Sequence, residues 1–255
     1  MTIVGLSWRG FCVLVRALDR RGFALAAALT AVLVAGCAGA RSTTDAQAEG
    51  AETRSVYGDS IYRSAVFEPP SVHPLLVVPA GAEKVSVVTW TGKQTAEKYY
   101  PLGETAVGVD VWVTLAPQVR RLCETYPSAP DALRLRLQQL LGLPAKDEER
   151  VFVEMQARVS DIFRPCPDPD PTKAECGNAF PKNVDVAHKA WLAEQVLERY
   201  QAAPQGYPWT RLGYTYDWNP ASPRYGASEY VVRKGSKVTV TKKMPTTDYC
   251  RPPQS

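Results

Sequence analysis

Three runs along this chain alternate apolar and polar residues at every second position, the spacing of a strand with one buried face. They are Lys84–Thr91, Val107–Leu115 and Val151–Val159. In the second run Val107, Val109, Val111, Val113 and Leu115 share one face. Elsewhere the period lengthens to that of a helix. Pro117 stands where a helix can start, and Val119–Tyr126 would carry Cys123 on it. Leu133, Leu137, Leu140 and Leu141 form a stripe that Gly142 and Pro144 stop, and Ser128 with Asp131 has the pattern of a capping box. The clearest helix is Asp185–Gln201, whose predicted buried face is Val186, Ala190, Ala193, Leu197 and Tyr200. Ser228–Arg233 and Lys237–Lys243 flank Lys234-Gly235-Ser236 and predict a hairpin. Strands and helices intermix without a βαβ rhythm or a glycine-rich phosphate loop. The expected fold is one α+β domain with a mostly antiparallel sheet, two or three helices and a Pro-rich disulfide loop.

The N-terminus has a different pattern. Arg9, Arg16, Arg20 and Arg21 precede an apolar run, Gly22 to Gly36. That run is short of the roughly 20 apolar residues a spanning helix needs, and its layout is that of a secretory signal peptide. Leu33-Val34-Ala35-Gly36-Cys37 resembles the lipobox of bacterial lipoproteins. The resemblance implies that lipid joins the Cys37 thiol, that cleavage precedes Cys37, and that membrane is the first partner. Several acyl chains on one residue make a stable anchor where a single chain holds only marginally. Ala38, rather than Asp, follows the cysteine, which favours the outer membrane, facing the periplasm. The expected organisation is a signal peptide over 1–36, a small and polar flexible tether over 37–56, and a disulfide-braced domain over 57–255.

Charge adds little. The whole chain carries +4, and the predicted signal, with four Arg and one Asp, holds most of it. No basic, aromatic-rich stripe is present, so nucleic acid is not an expected partner. Four cysteines follow Cys37, and an even number in an exported chain implies disulfides. The preferred pairs are Cys166–Cys176, closing a loop of alternating Pro and Asp, and Cys123–Cys250, tying the C-terminus to the body. Paired CxxC spacing is absent, which argues against zinc, and no metal or cofactor is expected. Asp168 and Asp170 fall short of the six or more oxygens that calcium takes.

The densest chemistry lies in Gly206-Tyr-Pro-Trp-Thr-Arg-Leu-Gly-Tyr-Thr-Tyr-Asp-Trp218 and Gly226-Ala-Ser-Glu-Tyr-Val-Val232. With Phe163-Arg-Pro-Cys-Pro-Asp-Pro and Val111-Trp-Val-Thr-Leu, these segments resemble an uncharacterised family of exported bacterial proteins. That resemblance implies a shared fold and no chemistry. On the residues themselves, Arg211, Tyr214, Tyr216, Asp217, Trp218 and Glu229 are the candidate binding group, since flat aromatic faces with a few charges suit an envelope protein or a cell-wall component. The bland alternative is a loop packed on its own aromatics, with Gly213 and Gly226 at special backbone angles and Arg211 paired to Asp217 or Glu229. Arg211 with Ser228-Glu229 also faintly resembles ADP-ribosyltransferase sites, although the order of residues and the paired polar-x-Glu motif differ. His73 and His188 are expected in a loop and on an exposed helix face, and no Gly-x-Ser-x-Gly or His-Glu-x-x-His occurs. The reading is therefore a non-catalytic lipoprotein module, with an enzyme using Arg211, Asp217 and Glu229, a hydrolase or transferase, as the alternative.

Overall fold

The alternating runs form strands, and because adjacent residues such as Val87 and Val88, or Phe152 and Val153, are both apolar, the sheet built from them has a core on either side. A computed structural model describes residues 43–68 and 71–252. In chain order its elements are α1 (Thr43–Ala65), β1 (Lys84–Gly92), α2 (Lys93–Tyr99), β2 (Gly103–Ala106), β3 (Val111–Leu115), α3 (Ala116–Cys123) and α4 (Pro130–Leu140). There follow β4 (Arg150–Arg158), β5 (Ile162–Phe163), α5 (Val186–Arg199), β6 (Tyr214–Tyr216), β7 (Tyr225–Ser228), β8 (Tyr230–Val232), β9 (Lys237–Pro245) and α6 (Thr246–Tyr249). The fold is α+β, as expected, with more helices than the two or three predicted. The signal peptide, the lipobox and Cys37 lie outside the described residues.

Seven strands make one antiparallel sheet in the order β2-β9-β4-β1-β3-β8-β5, and β6 pairs with β7 apart from it. β1 and β4 form its centre, paired from Lys84 opposite Arg158 to Gly92 opposite Arg150. β8 and β9 are not the expected hairpin. β8 pairs with β3 and β5, while β9 pairs with β2 and β4. One register nevertheless runs through both, with Gly103 opposite Val240 and Val113 opposite Tyr230. Val107 N donates to Ser236 O and Gly235 N to Val107 O, carrying the pairing across the break. β2–β3 and β8–β9 are thus two long strands, each bent once, and the ends of the sheet close on each other at the bend. The bend also explains Val109. Val107, Val111, Val113 and Leu115 all enter the core as predicted, while Val109 sits in the break and is exposed.

The inner core gathers Val87, Val113, Val153, Met155, Tyr230 and Val240. On the other face α3 and α4 cover Val88, Trp90 and Phe152 with Val119, Leu133 and Leu137. Cys123 on α3 is bonded to Cys250, just after α6, and Cys166 to Cys176. Both expected pairs form. α4 starts on Ala129 and Pro130 without a side-chain cap, so the Ser128–Asp131 box is not made.

Two further readings need correction. Residues 43–56 are helical rather than a flexible tether, because Ala, Gln and Glu there are good helix formers and the last turns bury Tyr57 and Ile61. α5 spans its predicted range but shows the opposite face. Val186 and Leu197 are 76% and 77% exposed, and His188, Leu192 and Gln195 turn inward. His188 Nε2 meets Cys166 O at 2.8 Å, and its ring stacks on Trp191. A ring hydrogen bond and an aromatic cluster outweigh a stripe in which two of five members are alanine. Burial holds the His188 imidazole below its ordinary pKa of 6.5, against the Cys166 carbonyl, which raises it.

Among the described residues no helix is long and apolar enough to cross a membrane, and no group of His, Cys, Asp and Glu could hold a metal. Asp168 and Asp170 instead shape their own loop, accepting Asp170 N and Thr172 N respectively. The loop wraps Arg164, wholly buried, whose Nη2 donates to the carbonyls of Leu76, Pro171 and Lys173.

Candidate functional site

The segment 206–230 divides between scaffold and cleft. Tyr214, Tyr216 and Trp218 are buried. Tyr214 donates its hydroxyl to Ser71 O at 2.7 Å, and burial pushes that hydroxyl up to about 12. Tyr216 and Trp218 pack with Tyr57 and Ile61 of α1, and Trp218 Nε1 donates to Leu143 O at 2.9 Å. Asp217 is clasped by Arg136 of α4 through two bonds, at 3.1 and 2.5 Å. Arg211 has a positive φ of 58° and donates from Nη2 to Ala65 O, at the end of α1. The expected pairing of Arg211 with Asp217 or Glu229 does not occur. Of the two glycines singled out, Gly213 has a positive φ of 79°; Gly226 is needed instead because a Cβ there would strike Thr215 Oγ1 and Leu140 O. These parts hold one another, and the six candidates do not converge on one surface.

Glu229 is the exception. It is the single residue between β7 and β8, where the chain passes from the small sheet to the large one. Side chains alternate across a strand, so with Tyr230 in the inner core Glu229 faces outward, on the side of Trp112 and Thr114 of β3. There the sheet is roofed by the turn after α4 and by the 207–209 loop. Gly142, with φ 65°, ends α4 and lets that turn pass within contact of Pro208. Two adjoining hollows result, both partly open to solvent and both lined by Glu229, Trp112, Leu141 and Leu143.

The electrostatics of the cleft follow from its walls. Neither carboxylate oxygen of Glu229 meets a donor among the described residues, and Oε2 is shut off from the surface although part of the residue reaches it. Removal from water pushes the carboxyl up from 4.5 to about 8, in spite of Arg199 and Arg164, whose positive charges lower it. At neutral pH Glu229 is thus mostly a neutral acid. Arg199, at the end of α5, lies over the rings of Trp112 and Tyr207, at 5.0 and 5.2 Å, and donates to Gln195 Oε1. Trp209 stands edge-on to Trp112, 5.9 Å away. Trp209 Nε1 and Thr114 Oγ1, bordering the two hollows, are buried and have no partner either. Buried polar groups are usually paired, so three orphans around one cleft call for an explanation.

Tyr207, Trp209 and Glu229 come from the segment that composition had marked. Trp112, Thr114 and Arg199 do not, and no spacing in the sequence links them to it. Comparison with protein-family models, with curated proteins and with solved structures found no match.

Proposed function

We propose that this chain is an exported, lipid-anchored binding module, held on a membrane through Cys37, whose ligand enters the Glu229 cleft and is a cell-wall component. The observation that carries the reading is the unpartnered carboxyl of Glu229 between aromatic walls. Ligand sites have this composition, mostly apolar with a few polar groups whose needs the protein leaves open. The two disulfides support the oxidising compartment that export implies.

Binding is favoured over catalysis by what accompanies Glu229. It is the one carboxylate among the residues lining the two hollows, and no histidine or cysteine joins it. Glycoside hydrolysis generally takes two carboxylates, and nucleophilic catalysis takes an activated nucleophile with a base. The enzyme alternative needs Arg211 and Asp217 beside Glu229, and each of those is engaged elsewhere.

The test has two arms on the full chain made in a bacterium that processes lipoproteins. Incorporation of a labelled fatty acid, with the protein in the membrane fraction, is expected for the wild type and lost in Cys37→Ser. An unlabelled, soluble wild type overturns the anchor. Calorimetric titration with soluble fragments of digested peptidoglycan is expected to show saturable binding. Absence of any heat with those fragments overturns the binding module.

A further inference from the structure

α5 carries two faces with apolar residues where a helix on a protein surface needs one. At about 100° per residue, Val186, Ala190, Ala193 and Leu197 fall within roughly 60° of one another, with His188, Leu192 and Gln195 on the opposite side. The second set turns inward, which leaves the first to solvent. Val186 and Leu197 are the most exposed large hydrophobics among the described residues, and Ala190 and Ala193 are exposed between them. The strip borders an open hollow lined by Leu192, Val196 and the half-exposed ring of Phe180, which widens the apolar surface. Its steps of four, three and four residues are those of the seam between two paired helices. The flanks differ in charge. Ala187 and Glu194 stand on one side of the seam, Lys189 and Val196 on the other. Neither Lys189 nor Glu194 forms an ion pair among the described residues.

We infer that α5 pairs in parallel with α5 of a second copy of this chain, along Val186, Ala190, Ala193 and Leu197, about a two-fold axis parallel to the helices. Charge complementarity selects both the partner and the direction. In a parallel pair Lys189 of each copy faces Glu194 of the other, so two ion pairs flank the seam. In an antiparallel pair Lys189 would lie beside Val196 and Glu194 beside Ala187, and all four charges would be left alone. The two central alanines let the helix backbones come close. The seam is only about 17 Å long, so the contact is weak and forms where copies are concentrated. An axis of this kind keeps both copies at one height along it, which suits two chains held on one membrane and raises their effective concentration. The contact itself does not depend on the anchor or on the Glu229 cleft.

Cysteine substitution along the seam tests the arrangement. Across a parallel pair each seam position faces its own copy. Val186→Cys alone and Leu197→Cys alone should therefore each give a covalent dimer of the full chain when whole cells are treated with a short, membrane-permeant bismaleimide. Lys146→Cys, exposed and outside α5, should give none. Leu197→Glu added to Val186→Cys should abolish the dimer, and because Leu197 is exposed the fold is not at stake. Lys189→Glu added to Val186→Cys should lower the yield roughly fivefold, the equivalent of about 1 kcal/mol for two exposed pairs turned to repulsion. Adding Glu194→Lys as well should restore it. No dimer from either single cysteine variant overturns the inference, as does an unchanged yield with Leu197→Glu. A dimer formed only when the Val186→Cys and Leu197→Cys chains are mixed means antiparallel helices and overturns the parallel pair. Cross-linking of Val186→Cys to a protein of another mass in place of its own copy assigns the face to a different partner and overturns it too. Fatty-acid labelling at Cys37 and the titration with peptidoglycan fragments stand or fall separately from each of these results.

Discussion

Asp217 and Arg136 meet end-on, Nη1 with Oδ1 at 3.1 Å and Nη2 with Oδ2 at 2.5 Å. The carboxylate is almost wholly buried and the guanidinium one-fifth exposed. Asp217 also accepts from Asn219 N, so the pair ties α4 to the strand that follows Gly213. Removing one partner strands the other. Arg136→Ala leaves a buried carboxylate alone and should cost about 3–5 kcal/mol in a urea melt. Asp217→Asn, which keeps the backbone contact and leaves the more accessible Arg136, should cost less. Equal, small losses for the two variants would mean that the pair contributes little.

Glu229 predicts a pH dependence whose sign can be worked out. Its folded pKa of about 8 exceeds the unfolded 4.5, so the folded state holds an extra proton between these values. That contribution is full below about pH 4.5 and is lost as pH rises to 8. The loss is bounded by about 5 kcal/mol, at roughly 1.4 kcal/mol per pKa unit, and is smaller to the extent that solvent reaches the residue. The charged groups acting on Glu229 are Arg199 of α5 and Arg164 after β5, and the Tyr200 hydroxyl, driven up to about 12 by burial, stays neutral throughout. His188 acts oppositely. Its folded pKa is lowered, so its contribution is present above pH 6.5 and is lost as pH falls below it. Chemical melts from pH 5 to 9 should therefore show Glu229→Gln gaining on the wild type as pH rises. A constant difference between the two across that range would rule out the buried neutral acid.

The two disulfides should differ in worth. The chain-entropy account gives about 5 kcal/mol for Cys123–Cys250, which closes 127 residues, and about 3 kcal/mol for Cys166–Cys176, which closes 10. Double serine variants of each pair, compared by urea midpoint, should keep that order.

Gly226→Ala should be far more costly than its chemistry implies. The new methyl meets Thr215 Oγ1 and the Leu140 carbonyl, and neither is the end of a flexible chain. Overpacking of this kind costs about 1–3 kcal/mol. Gly177→Ala, whose Cβ has open space, is the control and should stay within roughly 0.5 kcal/mol. Comparable melts for the two variants would show that the close approach at Gly226 relaxes.

What could be read from the sequence was local. The runs at 84–91 and 151–159 became β1 and β4 almost residue for residue, because alternation over eight or nine positions marks a strand and sets which residues share a face. The α5 boundaries were legible from Asp185, whose carboxylate caps the helix at Ala187 N, yet its face was not. Period counting followed Val186 and Leu197; the deciding partners, Cys166 O and the rings of Phe163 and Trp112, come from other parts of the chain. The hairpin failed for the same reason: a Lys-Gly-Ser turn reads alike whether the strands fold back or run on. Within the site, Glu229 was marked by its aromatic neighbours in sequence, whereas Arg199 and Trp112 reach it only through the fold.

The closing of the sheet on itself has a temporal side. β4 and β2 both wait for β9, which begins more than eighty residues after β4 does, and β3 waits for β8 just before it. A chain delivered N-terminus first therefore carries two unmatched strand edges until β8 and β9 are out. The Cys123–Cys250 bond needs a still later stretch of chain, since Cys250 follows β9 and Cys123 lies on α3. A nascent chain stalled before residue 237 is therefore the form most exposed to wrong pairing.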